Sequence, residues 1–409
     1  MSDRRVAMFS MHTSPLAQPG AGDGGGMNVY VRALASALTR AGVDCDVYTR
    51  AEHPEQPDIV EVEPGFRVLH VTAGPRAPVS KHALVDLVEP FAQSAEAMLI
   101  ESDPVDVLHA NYWLSGAVAH RLKHALDLPL VATFHTLARV KADAGVDDDP
   151  ELRARIEQEV ITCADLMLAS TDDERAQLAS LYDAHPDRIE IVAPGVDHRV
   201  FEPGDRRHAR ERLGLDLGDG PMILFVGRIQ PLKGVALAVR CLAALDDPDV
   251  TLVVVGGPSG VEGEAELART HALVADLGVA ERVRFVPPRP HADLAEFYRA
   301  ADVCLVTSRT ESFGLVALEA AACGTPVVAA SVGGLRTLID DTHTGFLVDG
   351  RDPVDFAAPV ATLLDDRDRA AAMGATAAAH SRRYSWSIAA ARLRRLYSDL
   401  AARALVRCD

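Results

Sequence analysis

Lysine is nearly absent from this 409-residue chain: four of its 41 basic residues are lysines, Lys81, Lys123, Lys141 and Lys233. Where arginine serves as the ordinary cation, a retained lysine marks a position that needs a compact ammonium, since the two are not interchangeable in tight geometry. Cysteine is sparse and unpatterned. The six (Cys45, Cys163, Cys241, Cys304, Cys323, Cys408) stand far apart, with no CxxC and no Cys/His group at zinc spacing. This argues against a disulfide frame and a metal knot and predicts buried thiols. No run of roughly eighteen apolar residues occurs, and no signal-length apolar segment follows Arg4-Arg5, so a cytoplasmic protein is expected. An excess of positive charge is also missing. The formal net charge of -18 excludes a nucleic-acid or anionic-membrane surface, and any anion site must be local.

What is present describes a globular α/β chain. Hydrophobic residues make up 48% and charged residues 24%, and division by about 150 residues per domain predicts two domains. Short β-type runs alternate with helical stretches, the pattern of parallel sheets covered on both faces. Strands are expected at 6–11, 44–48, 66–71, 105–110, 130–134, 166–169 and 189–192. After a charged stretch at 202–220 they resume at 222–226, 251–255, 283–286, 303–306, 327–330 and 345–348. The expected division is a Rossmann-like domain over 1–198, a second over 199–384, and a helical segment over 385–409 crossing back to the first. Two doubly wound domains facing a central cleft place ligands beyond strand C-termini, so the loops after strands are the informative ones.

The first such loop is rich in glycine. Gly20-x-Gly22-x-x-Gly25 formally matches a dinucleotide fingerprint, but it trails the strand by about nine residues, and Thr49-Arg50 stand where the ribose-binding acid belongs. A nicotinamide dehydrogenase is thereby disfavoured. Gly24-Gly25-Gly26 still lets bare backbone N–H groups approach a ligand at a helix N-terminus.

The second half carries the charge chemistry. Phe225-Val-Gly-Arg228-Ile-Gln-Pro-Leu-Lys233-Gly is a strand followed by a turn with two cations, suited to the charge that collects on a departing diphosphate. In Ser308-Arg-Thr-Glu311-Ser-Phe-Gly314-Leu-Val-Ala-Leu-Glu319, Glu311 precedes a helix and can accept from sugar hydroxyls, while Glu319 can accept from a ribose diol. Gly324-Thr-Pro-Val-Val and Gly333-Gly334 follow.

These segments resemble the GT-B retaining glycosyltransferases of family 4, the E-x7-E pair (Glu311, Glu319) and the G-R-x4-K element (Arg228, Lys233) carrying the match over essentially the whole chain. Further segments narrow the likeness: Ser10-Met-His-Thr-Ser-Pro15, Gly25-Gly-Met-Asn-Val-Tyr30, His109-Ala-Asn-Tyr-Trp-Leu-Ser-Gly116, His135-Thr-Leu-Ala-Arg-Val-Lys141 and Gly256-Gly-Pro-Ser-Gly260. They look like the members that open mycothiol synthesis in actinobacteria by glycosylating an inositol phosphate. That resemblance implies UDP-N-acetylglucosamine (UDP-GlcNAc) as donor, 1D-myo-inositol 3-phosphate as acceptor and no organic cofactor. It places Gln18, Pro19, Gly26, Arg228, Lys233, Arg289, Glu311 and Glu319 around the donor. His12, Asp23, Gly24, Gly25, Gly26, Met27 and Asn28 would face the inositol, and Lys81, Tyr112, Thr136 and Arg153 its phosphate. Arg228, Lys233, Glu311 and His135 would be catalytic. An auxiliary Mg2+ near Tyr298, Arg299, Ala301 and Thr325 belongs to the same pattern. A short stretch at 142–150, between Lys141 and Arg153, departs from it. No membrane partner is implied, and a homodimer is compatible.

There is no Ser or Cys triad, and no D-x-D set to hold a diphosphate through a metal, so protein cations take that role. The competing readings are a relative that uses a sugar phosphate or a lipid-linked sugar as acceptor, and a nucleotide-sugar binder without turnover. The presence of Glu311, Lys233 and His135 speaks against the latter.

Overall fold

The computed structural model describes residues 4–408 apart from 21, 23, 81, 144–149, 216–219, 246 and 261. The chain divides into two compact units. The first comprises residues to Ala17, Met27–Ala193 and Trp386–Asp409; the second comprises Gln18–Gly26 and Pro194–Ser385. The change of unit thus falls at 193/194 rather than at the expected 198. The segment Gln18–Gly26, expected in the first domain, packs within the second unit.

The strands of the first unit are β1 (Arg5–Phe9), β2 (Asp44–Arg50), β3 (Ile59–Glu63), β4 (Phe66–Val71), β5 (Val107–Asn111), β6 (Leu130–Thr133), β7 (Leu166–Ala169) and β8 (Ile189–Ile191). Among the described residues they form one sheet in the order β3-β4-β2-β1-β5-β6-β7-β8. All pairs are parallel except β3 with β4. Continuous apolar runs such as Leu-Val-Ala-Thr in β6 are buried on both faces, as a helix-covered parallel sheet requires. β3 was not anticipated, because Ile-Val-Glu-Val-Glu is a half-exposed edge strand without a buried run. The last helix spans Trp386–Leu400, shorter than the expected helical segment at 385–409, and belongs to the first unit.

The second unit contains β9 (Met222–Val226), β10 (Thr251–Val255), β11 (Val283–Val286), β12 (Val303–Val306), β13 (Val327–Ala330) and β14 (Gly345–Val348), in the order β11-β10-β9-β12-β13-β14 and all parallel. Its core joins Ile223, Leu252, Val303 and Val328 of the sheet to Val239 and Phe356 of the helices. At the end of β2, Arg50 is fully buried and donates to the carbonyls of Pro75 at 2.9 Å and Ala77 at 2.8 Å. The position that would recognise a dinucleotide ribose is therefore filled by a structural cation.

The thiol expectation needs one correction. Cys45, Cys241, Cys304 and Cys323 are buried thiols, but Cys163 and Cys408 are brought into bonding contact, with Cα atoms 5.4 Å apart. Among the described residues, no helix is long and apolar enough to cross a membrane.

Candidate functional site

In the second unit the loops after β9 and β12 meet. Lys233 ends a short helical turn, Pro231–Lys233, and Gly234 follows at φ +73°, where an added Cβ would fall on the carbonyl oxygen of Thr307. Only glycine permits this approach. The Thr307 hydroxyl donates to the Gly234 carbonyl at 2.8 Å, locking the two loops together. The Lys233 ammonium donates to Glu311 Oε1, and Ser308 Oγ donates to the same oxygen at 2.8 Å. Gly333, at φ +45°, lies against the Glu311 carbonyl so closely that a Cβ would overlap its oxygen, and Gly334 N–H donates to that oxygen at 2.9 Å. Arg351 reaches across from the β14 side to the carbonyls of Thr307 at 2.9 Å and Ser308 at 3.1 Å; burial and neighbouring Arg309 lower its pKa.

Arg228 lies under the glycine segment. Its Nη1 donates to Ser259 Oγ at 3.4 Å, Ser259 Oγ donates to the Gly22 carbonyl at 2.5 Å, and a Cβ on Gly25 would stand 3.1 Å from Arg228 Nε. Gln18 Nε2 donates to the carbonyl of Arg289. Every residue assigned to the donor (Gln18, Pro19, Gly26, Arg228, Lys233, Arg289, Glu311 and Glu319) thus belongs to this one unit. Glu319 differs from its partner in being buried. Tyr298 OH donates to its Oε2 at 2.8 Å, and His291 Nε2 lies 2.7 Å from its Oε1. Burial, followed by the Glu319 carboxylate, holds the Tyr298 hydroxyl well above its usual pKa. Each carboxylate oxygen of Glu319 keeps a second lone pair for a ribose hydroxyl.

Tyr298, Arg299, Ala301 and Thr325 do meet, but as a hydrogen-bonded turn. Thr325 Oγ1 donates to the Tyr298 carbonyl at 2.6 Å, and Ala301 N–H donates to the same carbonyl at 3.2 Å. The Arg299 guanidinium is held by the Val200 and Glu202 carbonyls. A hard dication wants about six oxygen ligands including carboxylates. The Arg299 guanidinium offers no lone pair and the Tyr298 carbonyl already accepts two donors, so the side chains of this set do not fit Mg2+.

In the first unit, two non-glycine residues sit at positive φ directly beyond strand C-termini: Tyr112 at +78° after β5, and His135 at +62° just after β6. Such strain persists where surroundings over-determine it, commonly at functional sites. His12 and Tyr112 rings lie 4.4 Å apart, and the Arg153 guanidinium stands 5.0 Å over the Tyr112 ring. Arg153 is buried; its Nη2 donates to the Thr136 carbonyl at 2.5 Å and hydroxyl at 3.0 Å, and its Nε to Glu157 Oε1 at 2.8 Å. Glu157 also accepts from Tyr182 OH and from Ala138 N–H at 2.9 Å. His12, Tyr112, Thr136 and Arg153, drawn from four separate segments, therefore form one cluster. His135 donates from Nε2 to Asn111 Oδ1 at 3.0 Å and meets the Tyr30 ring edge-on at 4.7 Å; burial pushes its pKa down to about 3. Burial thus favours the neutral imidazole. Asn28 is buried and binds Thr13 Oγ1 at 2.7 Å and the Ser14 carbonyl at 2.6 Å, shaping the loop that carries His12. Met27 packs against the core. Gly24, Gly25 and Gly26 belong to the second unit. Asp23 and Lys81 lie outside the described residues.

The residues not singled out beforehand are Ser259, Ser308, Arg351, His291 and Asn111. Ser259 and Ser308 stood inside segments already noted, whereas Arg351 and His291 reach their partners across 43 and 28 residues and leave no local signal.

Two Rossmann-like units, one gathering two cations and a carboxylate at its strand ends, define a nucleotide-sugar glycosyltransferase of the GT-B type. Residues 205–380 match the family of glycosyl transferases group 1, and residues 25–195 match the glycosyl transferase 4-like domain. The chain is 47% identical over 407 residues to D-inositol 3-phosphate glycosyltransferase 2 of Catenulispora acidiphila, covering 97% of this chain and 95% of the relative. It is 44% identical to D-inositol 3-phosphate glycosyltransferase of Corynebacterium glutamicum, covering 97% and 96%. Among solved structures, sucrose-phosphate synthase from Thermosynechococcus elongatus superposes with a TM-score of 0.91 at 32% identity, covering 98% of this chain and 99% of that one. HepE of Anabaena, solved with UDP and glucose, shares the fold with a TM-score of 0.77 at 21% identity, covering 96% and 99%. The chain belongs to the D-inositol 3-phosphate glycosyltransferase family.

Proposed function

We propose that this enzyme transfers N-acetylglucosamine from UDP-GlcNAc to 1D-myo-inositol 3-phosphate with retention at C1, the opening step of mycothiol synthesis. The observation that carries the reading is the Lys233–Glu311 pair, set on two interlocked strand-end loops beside Ser308. Arg228 and Lys233 face the diphosphate. As the bond from C1 to the β-phosphate oxygen breaks, negative charge grows on that phosphate and the two cations stabilise it. The acceptor hydroxyl oxygen attacks C1 on the same face, and its proton passes to the departing phosphate. No carboxylate nucleophile is required. Glu311 orients the sugar hydroxyls and Glu319 the ribose. In the first unit, Arg153, with Thr136, Tyr112 and His12 around it, supplies charge-assisted hydrogen bonds to the acceptor phosphate. His135 holds the wall of that site through Asn111.

The test is product mass after separate incubations of UDP-GlcNAc with inositol 3-phosphate, inositol, a sugar phosphate and a lipid-linked sugar. A mass increase of one N-acetylglucosaminyl residue on inositol 3-phosphate alone is the expected result. Equal use of both acceptors overturns the phosphate site, and exclusive use of a sugar phosphate or lipid-linked sugar replaces the acceptor assignment.

A further inference from the structure

The first unit contains a cluster of ligating side chains that the transfer reaction does not use. His120 and His124 lie four residues apart on the helix Trp113–Leu126 and therefore on one face of it. Cys163 is the last residue of the helix Pro150–Cys163, and Cys408 lies beyond the final helix. One ligand atom from each of the four lies within 4.8 Å of the others. Cys163 Sγ is 3.3 Å from His124 Nε2, and Cys408 Sγ is 3.4 Å from His124 Nε2 and 3.9 Å from His120 Nε2.

We propose that these four side chains bind one zinc ion that staples the C-terminal tail to the first unit. Zinc–sulfur bonds of about 2.3 Å and zinc–nitrogen bonds of about 2.0–2.1 Å make tetrahedron edges of roughly 3.3–3.8 Å; the two separations to His124 fall in this range and the 3.9 Å to His120 lies just beyond it. Two thiolates and two imidazoles are the donor set that favours zinc over magnesium or calcium. The two sulfurs touch, so the same pair could close as a cystine. A neutral disulfide offers nothing to two converging imidazole nitrogens, whereas two thiolates beside them need a cation. On binding, both cysteine S–H protons leave to solvent and the sulfurs move apart to about 3.8 Å around the metal. With all four positions taken by protein, the ion is structural rather than catalytic.

The surroundings are already built to hold the tail. Val406 N–H donates to Asp165 Oδ1 at 2.6 Å, while Asp165 Oδ2 accepts from the buried Lys123 ammonium at 2.6 Å and from Leu130 N–H at 2.7 Å. Lys123 also donates to the Cys163 carbonyl at 2.8 Å, fixing that helix end. His124 is exposed and Cys408 half-buried, which leaves the ion a path from solvent.

The experiment is metal analysis of the full chain purified with reductant and without chelator, beside Cys408→Ser and His124→Ala. About one zinc per chain is expected in the wild type and roughly a tenth of that or less in each variant. Cobalt substitution of the wild type should give thiolate-to-cobalt absorption that both variants lose. The proposal is overturned if the wild type takes up neither metal. It is also overturned if Cys408→Ser retains zinc in full, or if the intact mass without added reductant is two hydrogens light and digestion yields a Cys163–Cys408 cystine peptide.

Discussion

Replacing Lys233 with alanine separates the chemistry from the fold. Its ammonium and the Glu311 carboxylate are 25% and 16% exposed, so the pair is mostly shielded and its loss should cost folding about 1–3 kcal/mol. Ser308 Oγ continues to hold Glu311, and the Gly334 N–H continues to hold its carbonyl, so the loop keeps its shape. The transition state loses more. A fixed donor aimed at developing charge contributes about 3–4 kcal/mol, which corresponds to a fall in turnover of roughly 10²- to 10³-fold. Lys233→Arg restores the charge but not the rate, because a planar guanidinium does not replace a point ammonium where Gly234 is pressed against Thr307. The assay is UDP release at saturating UDP-GlcNAc and inositol 3-phosphate, with donor affinity and melting temperature measured separately. Near-normal turnover in Lys233→Ala, or a loss of folded protein that accounts for the loss of rate, would refute the reasoning.

Other perturbations follow from the same geometry. Thr136→Val keeps shape but removes a hydroxyl from the Arg153 cluster; KM for inositol 3-phosphate should rise about 10- to 100-fold, the worth of one charged hydrogen bond, with kcat near normal. Gly333→Ala places a methyl on the Glu311 carbonyl and should lower kcat about 10²-fold through misplacement. Gly350→Ala, at φ +79° but in open space, carries the backbone strain alone and should leave kcat unchanged, as steady-state kinetics of both variants will decide. Acid stability depends on three buried groups, two histidines and one carboxyl of opposite sign. Burial pushes both His109, with His135 as a secondary cause, and His135 from 6.5 down to about 3, so the unfolded chain binds two extra protons below pH 6.5 and stability falls as pH falls. Burial pushes Glu174 from 4.5 up to about 7, so the folded chain binds the extra proton between those values and stability rises as pH falls. Glu174 offsets one of the two histidines from pH 6.5 to 4.5, leaving a net loss of about 1.4 kcal/mol per pH unit, which rises to about 2.7 kcal/mol per pH unit below 4.5. Glu174→Gln should therefore lose stability about twice as steeply as the wild type between pH 6.5 and 4.5, read as the urea midpoint of tryptophan fluorescence. Both tryptophans, Trp113 and Trp386, lie in the first unit. Coincident profiles for variant and wild type would contradict the assignment.

The strands of the second unit were legible to the residue because parallel strands buried on both faces read as unbroken apolar runs between turn signals. β3 was not, since an exposed edge strand needs no such run. The strand-end placement of the expected donor residues was legible for a related reason. Arg228 with Lys233, and Glu311 with Ser308, each occupy a single strand-end loop, so their chemistry is written in consecutive residues. The cluster around Arg153 has no such continuity. His12, Tyr112, Thr136 and Arg153 come from four segments and were reachable only through family resemblance, and nothing in Asn-Tyr112-Trp or Phe-His135-Thr announces a positive φ, which glycine would have signalled.

The sulfur cluster marks the limit of reading ligands by spacing. His120 and His124 are one helical turn apart and visible as a pair, but two imidazoles alone do not make a zinc site. The completing thiols, Cys163 and Cys408, are separated by 245 residues, and they meet only because the final helix folds back into the first unit and Asp165 holds the chain at Val406. Rules of the CxxC kind work when one turn supplies two ligands, because a tight turn pre-pays their loop-closure entropy. A closure of 245 residues is instead carried by the packing of the whole unit. Such a site forms after the fold rather than directing it, so chelation should release the tail beyond Leu400 and leave both sheets standing.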